Sequence, residues 1–292
     1  MWPWPAISRI KTTTMTQREK RKNGFTLIEL IIVIVLLGIV GAMGASFISQ
    51  AFKGFFDTDI RMEMYEEGKT ALVRMEREIH IAVPNAVQSF DNDVMADDGN
   101  EIRFGMIDER TMIPVFGRYT EAHPTGTATI TDLKTTQLLQ GTPLVSIYNT
   151  TWNDFASAVN RIYRVNNVAI VNVDQMTINL QPAKLIGPAS PYNRYYIVRP
   201  EAVRFRVLPD PADITRNILY RGTAQVNTDA ALSDFGNDQI LAQNIVPSGA
   251  LPYFTYDPGT STRNSVVVIH FAISRNGETV NFHKEVQVRN VP

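Results

Sequence analysis

The chain has 292 residues, 44% hydrophobic and 20% charged, a balance that excludes an intrinsically disordered protein. It has no cysteine, which excludes disulfides, thiolate metal sites and cysteine nucleophiles. A formal net charge of −1 gives no global basic field of the kind that gathers nucleic acid, so no nucleic-acid partner is expected.

The charge is unevenly placed. Residues 1–24 hold Arg9, Lys11, Arg18, Lys20, Arg21 and Lys22 against Glu19 alone, a charge of +5, which leaves −6 on the remainder. A segment of 24 residues, 25–48, follows with one charge, Glu29. As a helix it spans about 36 Å, enough to cross a bilayer core of about 30 Å. Because Lys and Arg crowd its N-terminal side, the N-terminus is expected in the cytoplasm and the bulk of the chain outside. A secretory signal is the rival reading, and Ala42, Gly44, Ala45 and Ser46 would offer it a small-residue cleavage site. The length of the run and the carboxylate at Glu29 argue against that. A charge at mid-bilayer costs about 2.5–3.5 kcal/mol on insertion scales and usually has a partner.

Residues Arg21-Lys22-Asn23-Gly24 followed by Phe25-Thr26-Leu27-Ile28-Glu29-Leu30 resemble the type IV prepilin signal. The resemblance implies cleavage between Gly24 and Phe25 by a prepilin peptidase, methylation of the new amine at Phe25, and retention of the apolar segment. It also implies that Glu29 pairs with the amine of a neighbouring subunit in a filament. Both charges would otherwise be stranded among apolar helices, which is costly. A leader counted from Met1 is long for this family, and the ten residues from Met15 to Gly24 are nearer its usual length, so Met15 is the expected initiator.

The helical pattern continues beyond residue 48. Phe52, Phe56, Ile60, Met64, Ala71, Met75 and Ile79 recur mostly three or four apart with charged residues between them, an amphipathic stripe. Pro84 predicts a helix end at or before Val83. Residues 25–83 would then form a spine of about 88 Å if straight. Arg74 and Glu78 are spaced for a surface ion pair. Gly38, Gly41 and Gly44 permit close helix approach or local loosening, and are also ordinary membrane-helix composition.

After Pro84 short extended runs predominate. Candidate strands cover 102–107, 144–148, 161–164, 168–173, 176–181, 195–198, 203–208 and 218–220, separated by turn-rich pieces. The clearest pair, 265–274 and 279–289, flanks Asn276-Gly277, a strong hairpin signal. The fold class is therefore α+β. A long N-terminal transmembrane and amphipathic helix packs on a mainly antiparallel sheet, which the prepilin resemblance makes a pilin-like fold. The expected divisions are a leader (1–24), a transmembrane helix (25–48), its amphipathic continuation (49–83) and a β-rich head (84–292).

The C-terminal region adds to the resemblance. Phe254-Thr255-Tyr256-Asp257-Pro258-Gly259, Arg263, the terminal hairpin and Val288-Arg289-Asn290-Val291-Pro292 look like the large J/W-type minor pseudopilins, with a pattern most similar to those of MSHA pilus biogenesis. The partners this implies are the prepilin peptidase, other minor and major pilins, and the inner-membrane assembly platform. The implied location is a single pass in the inner membrane with a periplasmic head, and then the pilus.

No GxSxG, HExxH, P-loop or dinucleotide fingerprint is present, so no enzyme and no catalytic residue is expected. His80, His123, His270 and His283 are scattered, although His270 and His283 could meet across the terminal hairpin. Asp91, Asp93, Asp97, Asp98 and Glu101 read as a solvated turn. Calcium is the alternative, as some related pseudopilins bind it elsewhere in their heads, but the spacing lacks the EF-hand pattern. Otherwise no cofactor and no metal is expected. The competing function classes are a J-type subunit of a type II secretion system and a membrane-anchored periplasmic enzyme or binding protein.

Overall fold

The computed structural model describes residues 24–108, 116–121, 124–132, 143–181, 184–247, 250–259 and 263–288. The leader before Gly24, His123, and Arg289 onward lie outside the described residues. The chain divides into two units, Met1–Phe55 and Phe56–Pro292.

The described part of the first unit is the opening of α1 (Leu27–His80), a helix of 54 residues. No proline falls within it, so nothing removes a rung from its hydrogen-bond ladder. Its apolar side chains point to every side, and those from Leu27 to Ile48 are all exposed. Among the described residues this is the one helix long and apolar enough to cross a membrane, with a mean hydropathy of 2.7 over its most apolar window and none of that window buried.

In the second unit the remainder of α1 becomes one-sided. Met64, Gly68, Ala71, Met75, Glu78 and Ile79 are buried, spaced mostly three and four apart. The predicted stripe is thus realised from Met64 onward, while Phe56 stays exposed. The helix stops at His80, three residues short of the predicted limit. Arg77 and His80 place basic side chains at its carbonyl end. Val83, just before Pro84, is forced into extended backbone.

Among the described residues fifteen strands follow: β1 (Ala82–Asp91), β2 (Val94–Ala96), β3 (Asp98–Gly99), β4 (Glu101–Ile107), β5 (Gly117–Arg118), β6 (Thr129–Asp132), β7 (Leu144–Ser146), β8 (Ile162–Ile170), β9 (Met176–Leu180), β10 (Arg194–Pro209), β11 (Asn217–Gln225), β12 (Gly236–Val246), β13 (Phe254–Asp257), β14 (Val266–Arg275) and β15 (Glu278–Gln287). A single helical turn, α2 (Asn153–Ala156), lies between β7 and β8. The strand order is β3-β13-β14-β12-β11-β10-β7-β8-β9-β6, with β4 and then β1 branching from β10, and β15 on β14. The strand pairs among the described residues are antiparallel.

Several strands differ from the sequence reading. β1 begins two residues after the helix and runs through Pro84. It tolerates the proline because its register with β4 shifts between Ala82 and Val87, where Asn85 adopts φ 57°. β10 is one strand of 16 residues where two short ones were predicted; its register with β4 shifts across Pro200, between Val198 and Ala202. β8 likewise joins two predicted strands through an irregularity between Val165 and Asn167. The terminal hairpin is as predicted: Asn276 (φ 51°) and Gly277 (φ 84°) form the tight turn, and ten residues of β14 face ten of β15.

Two apolar clusters fill the second unit. In one, Met64, Ala71, Met75 and Ile79 of α1 pack with Phe205, Ile269, Phe271 and Phe282. In the other, Trp152, which precedes α2, and Phe155 within it pack with Tyr163, Ile178 and Tyr195. The contact of helix and sheet is closest at Gly68, where an added Cβ would lie 2.1 Å from the Phe282 ring. Lys284, which interrupts the apolar face of β15, is explained by Glu76 of the helix, 2.9 Å from its ammonium.

Glu78 corrects the sequence reading of a surface pair. It is only 7% exposed. It accepts from Arg74 Nε at 3.2 Å, and from Arg221 Nε of β11 at 3.1 and 2.9 Å. A carboxylate buried with its guanidinium is costly to break, because the surviving charge loses its partner. Glu78→Ala is expected to destabilise the folded second unit by about 3 kcal/mol, read as a lower urea midpoint of the full chain in detergent. Gly68→Ala is expected to cost about 1–3 kcal/mol in the same assay, although alanine is the better helix former, because Phe282 must move.

Candidate functional site at the start of the helix

Gly24, Phe25 and Thr26 precede α1 without regular structure. Thr26 is the helix cap. Its carbonyl accepts from Leu30 N–H at 3.2 Å, and its Oγ1 accepts from Glu29 N–H at 3.3 Å. Thr26 with Glu29 three residues later is the sequence pattern of a capping box. The charge of Glu29 marks it in the sequence, and the T-x-x-E spacing is the signal for Thr26. The negative side chain in the first turn also complements the helix dipole.

Phe25 is 81% exposed and Leu27 is 77% exposed, so the bond between residues 24 and 25 is open to a processing enzyme. A Cβ at Gly24 would meet nothing within 4 Å, nor would one at Gly38, Gly41 or Gly44. Among the described residues no packing contact requires glycine at these four positions.

The remaining candidates lie on the sheet. Arg103 sits between Asp93 and Glu101 and donates to both, with its guanidinium 4.0 Å from the Phe90 ring centre. Two of the five acidic residues, Asp93 and Glu101, are therefore tied to a cation of the chain itself. Among the described residues no three His, Asp or Glu side chains are grouped to hold a metal. His270 and His283 do meet across the hairpin, with ring nitrogens 3.1 Å apart. His80 is elsewhere, with Nδ1 3.1 Å from the Gln287 carbonyl oxygen.

Residues 20–45 match the family described as "Prokaryotic N-terminal methylation motif". No curated protein and no solved structure matches the chain. The motif is that of type IV pilin-like and pseudopilin proteins, and it implies processing by a prepilin peptidase and assembly with other pilins. The N-terminal apolar helix suggests membrane anchoring, which is consistent with a type IV pilin-like protein.

Two measurements follow from these contacts. Thr26→Ala is expected to fray the first turn at a cost of about 1 kcal/mol, seen as at least severalfold faster amide exchange at Glu29 and Leu30 in micelles. The His270 pKa is held below its ordinary 6.5 by burial and by the neighbouring His283, against a smaller opposing pull from Glu285. The unfolded chain therefore binds the proton more readily, and the head loses stability as pH falls below 6.5 towards the lowered value. The urea midpoint is expected to drop between about pH 7.5 and pH 5.5, and His270→Gln should flatten that part of the profile.

Proposed function

We propose that this chain is a minor pseudopilin of an MSHA-type IV pilus, with a pattern most similar to the biogenesis subunit MshO, and that it helps initiate the filament near its tip. The methylation motif at residues 20–45 is the observation that carries the reading. The uncovered apolar helix supports it, because a subunit must find its cover first in lipid and then among neighbouring helices. The head supports low copy number, since residues 84–292 are many to accommodate at every position of a tightly packed filament.

In this reading a prepilin peptidase cuts between Gly24 and Phe25 and methylates Phe25. The amine so created is the charge that Glu29 of a neighbour neutralises on assembly. The head lies in the periplasm, and the partners are other minor and major pilins and the inner-membrane platform. The role is structural, with no catalytic step, no cofactor and no resident metal. A J-type pseudopilin of a type II secretion system would share all of these features, and deletion separates the two: loss of piliation belongs to the pilus, loss of secretion to the rival.

The direct test is to crosslink the processed protein in sheared filaments. Adducts with other pilins are expected, and their absence from filaments that contain the major subunit would contradict the proposal. Glu29→Ala should be processed normally yet fall at least tenfold in the filament fraction; wild-type incorporation would remove Glu29 from the assembly step.

A further inference from the structure

Lys184 gives all three of its ammonium donors to neutral oxygens. They go to Asn160 Oδ1 at 2.6 Å, to the Ile162 carbonyl at 2.9 Å, and to the Thr228 carbonyl. The centre of the buried Tyr163 ring lies 5.3 Å from Nζ. Three segments meet at this point. Lys184 follows β9, Asn160 and Ile162 stand at the start of β8, and Thr228 lies between β11 and β12.

Asn160 is only 3% exposed, and its carboxamide is held in one orientation. Its Nδ2 donates to the Asn227 carbonyl at 2.9 Å and to the Ala230 carbonyl at 3.1 Å, while its Oδ1 accepts from Ile162 N–H at 3.2 Å. A flipped amide would set oxygen against two oxygens and nitrogen against two donors, so the carbonyl is the end that faces the amine. Two donors polarise that carbonyl, and Cγ lies one C=O bond, about 1.2 Å, behind its oxygen. Burial holds the Lys184 amine down to about 8, against an upward pull from Asp229. At about pH 7.5 roughly a quarter of such amines are neutral, where an ordinary lysine offers about one in a thousand.

We propose that Lys184 and Asn160 join in an intramolecular amide, a covalent staple that the folded head makes for itself. The ammonium first loses a proton to solvent. The Nζ lone pair then attacks Asn160 Cγ, and Oδ1 takes the negative charge beside the Ile162 N–H. The C–Nδ2 bond breaks as the carbonyl re-forms. Nδ2 takes the proton that Nζ sheds and leaves as ammonia, so no oxidant, metal or second substrate is needed. The fold supplies the orientation that an ordinary amide and amine lack in solution. The new bond ties the root of the β8–β9 hairpin, in a chain whose lack of cysteine rules out a disulfide there. It needs no partner and does not depend on the filament reading.

Mass spectrometry of the full chain purified from membranes reads the bond directly. The chain is expected to be about 17 Da lighter than its N-terminus and sequence require, and its digest should hold a branched peptide that joins residues 160 and 184. Lys184→Arg and Asn160→Ala should each abolish the branched peptide and restore the sequence mass. The branched peptide is sought in the wild-type chain, so the test stands even where a variant fails to fold. Linear peptides with a free amine at 184 and an intact carboxamide at 160, after a day at about pH 8, would overturn the proposal and leave a hydrogen-bonded latch. A mass deficit that persists in Lys184→Arg would overturn it too, since that loss belongs to closure of Asn160 onto its own backbone.

Discussion

The constraint on which the molecule turns is that the first part of α1 is apolar all round and exposed among the described residues. From Leu27 to Ile48 its apolar side chains stand exposed all round. Apolar surface on that scale is not left in water, so its cover must come from outside, and a bilayer is the first solvent that fits. The match to the prokaryotic N-terminal methylation motif, residues 20–45, falls on the start of this same uncovered helix.

The same helix solves a different problem in the second unit. From Met64 it buries one stripe, and the polar residues beside that stripe are tied to the sheet. Glu67 accepts from Gln243 N–H at 2.7 Å and also pairs with Arg275, Glu76 holds Lys284, and Glu78 holds Arg221. These contacts fix the rotation of the helix, which an apolar stripe alone would leave loosely set. Gly68 lets the Phe282 ring reach the helix backbone.

The helix was legible because both of its signals are local: a nearly uncharged run, then a 3.6-residue period. The Asn276-Gly277 hairpin was legible for the same reason, since the turn residues state their own backbone angles. Strands failed where pairing decides. β1 hides behind Pro84, β12 is largely polar and pairs with β11 in a broken register, and Pro200 makes β10 look like two strands. The burial of Glu78 was invisible because Arg221 lies 143 residues away. At the N-terminus Gly24, Phe25 and Glu29 are legible through a motif, and the cap made by Thr26 is legible through its T-x-x-E spacing.

The central claim is that the helix start is a processing site and that the apolar segment is kept. Mass spectrometry of the N-terminal peptide from membranes of cells with an active prepilin peptidase tests this most directly. The account predicts a mature chain beginning at N-methylated Phe25. A chain that still carries the residues before Gly24, or one cut after the apolar run near residues 42–46, would contradict it.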